Sequence, residues 1–191
     1  MTFSLSTFRQ NVSKPARPTL FQVIMPNVLG GSDMRFVCQA STVPGVTVGN
    51  YQIKYQGREI QYAGDLTFDT WKVTVINQEG NTIRKRFETW FQTINAFDTG
   101  RRGQLYTTNG AVENTNSYKQ YAEIEQFDHS GEVKARYKVS GMFPTILDPL
   151  TLDWTQTDQY QTFDVTFAFD WWQTLSVDTP SVTVSLAPTT A

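Results

Sequence analysis

GREIQYAGDLTFDTWKVTVIN, residues 57–77, sets the architecture of this chain. From Thr70 to Val75 it alternates without a break: Trp71, Val73 and Val75 face one way, and Thr70, Lys72 and Thr74 the other. A period of two over six positions marks a strand buried on one side. Upstream, Gly64-Asp65 reads as a turn, and the polar alternating run Arg58–Ala63 can pair as a strand. Downstream, a helix has to lie on the apolar face that Trp71, Val73 and Val75 create.

Residues 80–97 (GNTIRKRFETWFQTINAF) supply that helix. Ile83, Phe87, Trp90, Phe91 and Ile94 fall at i, i+4, i+7, i+8 and i+11, one apolar stripe. Asn81 reads as the N-cap and Gly100 as a late stop. Burying five such side chains contributes on the order of 10 kcal/mol before ordering entropy is subtracted, enough to pin the helix to a sheet. The cluster Arg84, Lys85, Arg86 reads as a solvated helix face in preference to a phosphate site.

Toward the N-terminus, residues 1–18 read as a basic arm carrying Arg9, Lys14 and Arg17, with prolines at 15 and 18. Phe3, Leu5 and Phe8 are too apolar for a freely solvated tail, so the arm docks on its own domain or on a neighbouring subunit. Thr19–Met25 and Met34–Thr42 read as strands joined into a hairpin by the turn at 30–33. Cys38, in the second, reads as a small core or near-core residue; a reactive thiol needs a nearby histidine. Asn50–Tyr55 and Arg58–Tyr62 flank Gln56-Gly57 as an extended, rather polar hairpin. Two such strands alone in water are marginal, so the hairpin is expected against another chain.

Toward the C-terminus, residues 101–117 read as loop. Tyr118–Phe127 and Glu132–Gly141 read as strands about the turn Asp128–Gly131, and Gly141–Pro144 as the end of the second. Residues 145–157 read as mostly connection, with Leu150, Leu152 and Trp154 alternating. Gln161–Trp172 reads as one last strand with Phe163, Val165, Phe167, Phe169 and Trp171 on one face, and residues 173–191 as an extension. About eight short strands and one helix give a mainly β fold: an antiparallel sandwich or barrel with one packed α-helix over residues 19–172.

The 191 residues fit one domain with decorated ends. A net charge of −2 argues against a general nucleic-acid binder. Residues 1–60 carry six Lys/Arg against two Asp/Glu, and residues 111–191 four against eleven. These are either two differently charged solvated faces or complementary surfaces that meet when copies associate. The single cysteine excludes an intrachain disulfide and suits a reducing compartment. Met1–Gln10 has no long apolar core and no 18-residue apolar run occurs, so neither a secretion signal nor a membrane span is expected. Chemistry is equally sparse. His129 sits in a turn whose neighbours Asp128 and Ser130 cannot form a triad with it. One Cys and one His are too few for zinc. Asp65 and Asp69 read as turn caps, and no phosphate-cradling loop precedes the helix. Neither catalysis, a metal nor a cofactor is expected.

Six stretches in order carry a resemblance: ARPTLFQV (16–23), FVCQASTVPG (36–45), REIQYAGDLTFDTWKVTV (58–75), RKRFETWFQ in the helix, KVSGMFPT (138–145) and LTLDWTQTDQYQTFDVTFAFDWW (150–172). Together they resemble the tail tube proteins of contractile-tailed, T4-like bacteriophages over roughly residues 15–172. The resemblance implies a structural virion protein, assembled in the host cytoplasm, whose copies form hexameric rings stacked into the inner tube. Implied partners are other copies, the tail sheath protein, and the baseplate tube-initiator and tail terminator proteins, with DNA passing through the lumen unbound. The tube-forming Hcp proteins of type VI secretion share this architecture and give the alternative reading; a β-barrel enzyme or ligand-binding module is a third. The loop at 100–117 and the tail after Trp172 depart from the compact family pattern. Candidate interface residues are Tyr51, Gln52, Lys54, Tyr55, Arg58, Glu59 and Gln61 of the hairpin, with Arg9, Lys14 and Arg17 of the arm. Some of Glu123, Glu125, Asp164 and Asp170 are expected to line an acidic lumen that repels DNA phosphates.

Overall fold

The computed structural model describes residues 5, 16–26, 29, 35, 37–102, 118–155 and 159–175. Among the described residues nine strands and one long helix follow in order: β1 (Phe21–Ile24), β2 (Cys38–Ser41), β3 (Val46–Tyr55), β4 (Arg58–Phe68), β5 (Trp71–Ile76), α1 (Thr82–Ile94), β6 (Gln120–Phe127), β7 (Val133–Leu147), β8 (Thr162–Ala168) and β9 (Trp171–Leu175). Seven strands form one sheet with the path β1-β6-β7-β8-β5-β2, and β9 pairs with β7 off that path. All of its pairings are antiparallel. β3 and β4 form a separate two-stranded ribbon.

β5 behaves as its alternation demands. Trp71, Val73 and Val75 are buried, while Lys72 is exposed and Thr74 half-buried. Trp71 also donates its indole N–H to Ser41 Oγ at 3.1 Å and to the Thr42 carbonyl at 2.8 Å, so burying the ring strands no polar atom. α1 lays Ile83, Phe87 and Trp90 on the core, and Phe91 and Ile94 at its margin. Phe87 meets Phe163 and Phe167 of β8, and the Trp90 N–H reaches the Tyr118 carbonyl at 2.8 Å. Asn81 stands at the N-cap with φ 55° but makes no side-chain cap bond. The helix ends at Ile94, where Asn95 turns extended, so Gly100 plays no part in stopping it. Arg84 and Arg86 are not a solvated face. Arg84 donates to the Asp148 carbonyl at 3.0 Å and Arg86 to the Leu29 carbonyl at 2.7 Å, fastening helix to loops.

The residues 19–42 do not make a hairpin. β1 pairs with β6 and β2 with β5, at opposite ends of the sheet path, so each four-residue strand lies along a longer neighbour. The turn at 30–33 lies outside the described residues. Cys38 is half-buried on β2, and burial pushes its thiol up to about 12, in keeping with a near-core residue.

Two further corrections concern one kink. β7 does not end at Gly141–Pro144; it runs on to Leu147. Its first part pairs with β6 and β9, and from Phe143 onward it pairs with β8. Likewise Gln161–Trp172 is two strands, β8 and β9, both lying along β7 and separated by Phe169 and Asp170. The register of β6 on β7 shifts at this level, and Gly141 has φ +68°. A Cβ on Gly141 would lie 2.2 Å from Asp170 Oδ2, so only glycine fits under that carboxylate. Both carboxylate oxygens of Asp170 in turn hold Lys119 Nζ at 2.7 Å.

Gly141→Ala is expected to lower stability in urea unfolding by about 3 kcal/mol, through the positive φ and the collision together. A double-mutant cycle with Asp170→Gly should return at least ~1 kcal/mol of coupling, since removing the carboxylate relieves only the collision.

Candidate subunit interface

The ribbon begins where Val43-Pro44-Gly45 leads out of β2 and ends where Phe68 returns to β5. At its tip Gln56 (φ 46°) and Gly57 (φ 78°) are both left-handed, the two-residue turn whose twist suits a hairpin. Pairing runs from Tyr55↔Arg58 down to Asn50↔Ala63 and resumes at Val48↔Leu66. Between these levels β4 holds one residue more than β3, so Gly64-Asp65 is a bulge inside a strand and not a turn. Glycine suits this position sterically: a Cβ on Gly64 would press on Gly49 C and O at 3.1 Å.

The register shows the ribbon to be less polar than its composition suggests. Tyr51, Ile53, Tyr55, Arg58, Ile60 and Tyr62 share one face of the tip, and Tyr51 stacks on Tyr62 at 5.4 Å. The opposite face carries Asn50, Gln52, Lys54, Glu59 and Gln61, tied by Asn50–Gln61 and by Lys54–Glu59 at 3.0 Å. Every residue of β3 is exposed, and all of β4 except Gly64 and Phe68. The seven candidate hairpin residues therefore stand together on one projecting element. The sequence reading missed Ile53, Ile60 and Tyr62, although the alternation Tyr51-Ile53-Tyr55 already announced a second apolar face.

Of the arm, Arg9 and Lys14 lie outside the described residues. Arg17 lines a cavity of about 420 Å³ with Leu20, Phe127, His129 and Lys134. His129 is exposed in its turn, where Asp128 Oδ1 accepts from the Ser130 N–H at 2.8 Å and the Glu132 N–H at 3.1 Å. Those bonds, with the one from the Ser130 hydroxyl foremost, hold the Asp128 carboxyl far below the usual range. The three residues build a turn and no catalytic relay.

The four carboxylates proposed for a lumen are each claimed by a cation. Glu125 is only 4% exposed, bonded to Arg136 at 2.6 Å and to Gln22, so it offers no charge to an open surface. β1, which covers it, brings Gln22 alongside through its pairing with β6. Glu123 lies 3.9 Å from Arg136 on the same face of β6. Asp164 bonds Lys72 at 2.7 Å and the Thr74 hydroxyl at 2.7 Å across β5 and β8, and these two, Lys72 first, lower its pKa. Asp170 is the partner of Lys119 described above.

A second exposed apolar surface lies on the loop after β7. Leu152 is 84% exposed and Trp154 fully so, with Tyr160 beside them across a cleft of about 430 Å³. Tyr160 is held by Gln39, whose amide donates to its hydroxyl at 2.8 Å.

Asp164 supplies a pH test. Its folded pKa is depressed, so its stabilising effect is full above the ordinary carboxylate pKa and is lost as pH falls through the lower folded value. Asp164→Asn should therefore cost about 1 kcal/mol at pH 7 and progressively less in acid, read from urea midpoints between pH 7 and 2.5.

With the geometry in place, comparison with known proteins is informative. The sequence model of the family described as phage tail tube protein matches residues 3–175. The tail tube protein of Enterobacteria phage T4 is 35% identical over 159 residues, covering 83% of this chain and 91% of that one. The sheath/tube terminator of the PVC extracellular contractile injection system, in its extended state, matches with a TM-score of 0.61 over 86% of this chain and 99% of that one, at 16% identity. A chain of the PVC sheath-tube complex matches with a TM-score of 0.58 over 92% of this chain and 100% of its own, also at 16% identity. At such identities the structural likeness speaks for the fold.

Proposed function

Because the chain belongs to the phage tail tube protein family, we infer that its copies close into hexameric rings and that the rings stack into the inner tube of a contractile tail, the conduit for the genome. The phage reading is preferred to a secretion tube because phage tail tube proteins share 35% identity with this chain over 159 residues. The observation that carries the inference is the ribbon. Two strands of ten and eleven residues project with their outer edges unpaired and a row of tyrosines and isoleucines in water. A two-stranded hairpin is marginal without a surface to cover it, and open strand edges are a hazard for a protein that is to stay single. Neighbouring copies remove both problems. Tyr51, Gln52, Lys54, Tyr55, Arg58, Glu59 and Gln61 then become buried between subunits, and the basic arm residues Arg9, Lys14 and Arg17 add to the same joints.

The tail sheath protein covers the outside of such a tube, and a baseplate initiator and a terminator bound its two ends. Assembly takes place in the host cytoplasm, before the particle is released. Glu123, Asp164 and Asp170 are the partly exposed carboxylates left to face a lumen, and their paired cations temper the field that DNA meets. The lumen's work is to offer no cationic surface to phosphate, not to bind it.

Negative-stain microscopy of the purified chain at high concentration is expected to show hollow tubes or stacked rings; monomers throughout would refute the reading. Particles carrying Glu123→Lys with Asp164→Lys are expected to assemble tubes yet eject DNA poorly, and normal ejection would remove these residues from the lumen.

A further inference from the structure

The tip of the ribbon needs a receptor, and the structure offers a matching one. On the tip, the exposed apolar face Tyr51, Ile53, Tyr55, Ile60 and Tyr62 ends at Arg58 beside the turn, and residues 50–62 carry two cations against one carboxylate. On the loop after β7, Leu152, Trp154 and Tyr160 stand in water around an open cleft. Residues 148–155 carry Asp148 and Asp153 and no cation. Asp153 is exposed, and its pKa is lowered by bonds from the backbone N–H and then the hydroxyl of Thr155, so it is ionised at neutral pH. Apolar surface thus answers apolar surface, and net positive answers net negative.

We propose that the aromatic tip of the β3–β4 ribbon docks on the Leu152–Trp154–Tyr160 surface of another copy of this chain. The proposal rests on the tube reading and adds to it the address of the ribbon. Within one chain the two surfaces do not meet: Tyr55 is 66% exposed and Trp154 fully so. The cleft of about 430 Å³ lined by Leu152, Trp154 and Tyr160 can take an aromatic side chain, and Tyr55 at the end of β3 is the most exposed aromatic residue of the tip. Arg58, paired with Tyr55 across the turn, then lies beside Asp153. Because donor and receptor are different patches, each copy can give its ribbon to one neighbour and accept that of another. Such head-to-tail contacts propagate, as a stack of rings requires.

The experiment joins the two surfaces covalently. Tyr55→Cys and Trp154→Cys are introduced together, and tubes are exposed to mild oxidant and run on a non-reducing gel. A ladder of disulfide-linked oligomers is expected from the double variant and from neither single one. All variants are built on Cys38→Ser, so the chain's own thiol contributes no background. As a second measurement, Trp154→Asp should leave the melting temperature of the monomer unchanged, since Trp154 is fully exposed, while reducing the pelleted tube fraction at least about tenfold. Tubes of the double variant with no ladder, or tubes of Trp154→Asp in normal yield, overturn the docking while leaving the tube reading intact. If the wild-type chain forms neither rings nor tubes, the tube reading fails and the docking fails with it.

Discussion

A carboxylate resting on a glycine shapes this domain. Asp170, gripped by Lys119, occupies the space that a side chain at Gly141 would need, and Gly141 takes the positive φ that lets β7 bend. β7, fifteen residues long, serves β6 and β9 along its first part and β8 along its last, so one strand joins both halves of the sheet, and the change of partner falls next to Gly141. The halves then face each other over Trp71, Phe167 and Val139, and α1 closes the remaining side with Phe87 and Trp90. Interiors packed this densely transmit a local change widely, so a side chain at this one glycine would be felt on both sides of the change of partner in β7.

The ribbon obeys the opposite logic. Among the described residues its tip is held only by its own ladder, the Tyr51–Tyr62 stack, the Asn50–Gln61 bond and the Lys54–Glu59 pair, while its base is anchored by Phe68 against Phe169. Exposed ion pairs contribute little, and the stack on the order of 1 kcal/mol. The chain therefore divides into a packed body and a projecting ribbon with little of its own surface covered. On the interface proposed above, many weak joints repeated at every subunit would add up to a stable tube.

Much of the body was legible in the residues. Trp71, Val73 and Val75 declared β5, and the stripe from Ile83 to Ile94 declared α1, because period and burial coincide there. Pairings were less accessible. Nothing local tells β1 to choose β6 over β2; that choice is made by a sheet whose other strands lie a hundred residues away. Gly64 and Gly141 were both read as breaks because glycine punctuates turns and bulges alike. At the interface the hairpin was visible from Gln56-Gly57 and its flanking alternation, whereas the apolar side of the tip emerges only from register. The fate of Glu125 was hidden for the same reason: its burial depends on Gln22, which β1 brings from the far end of the chain.

The buried thiol of Cys38 has a consequence for a particle that must outlast its host. Burial pushes that thiol up to about 12, so the thiolate, the form that reacts, is disfavoured at neutral pH. A readily ionised thiol would be open to oxidation one copy at a time wherever many copies stand together. Keeping the chain's single cysteine protonated lessens that source of difference between copies.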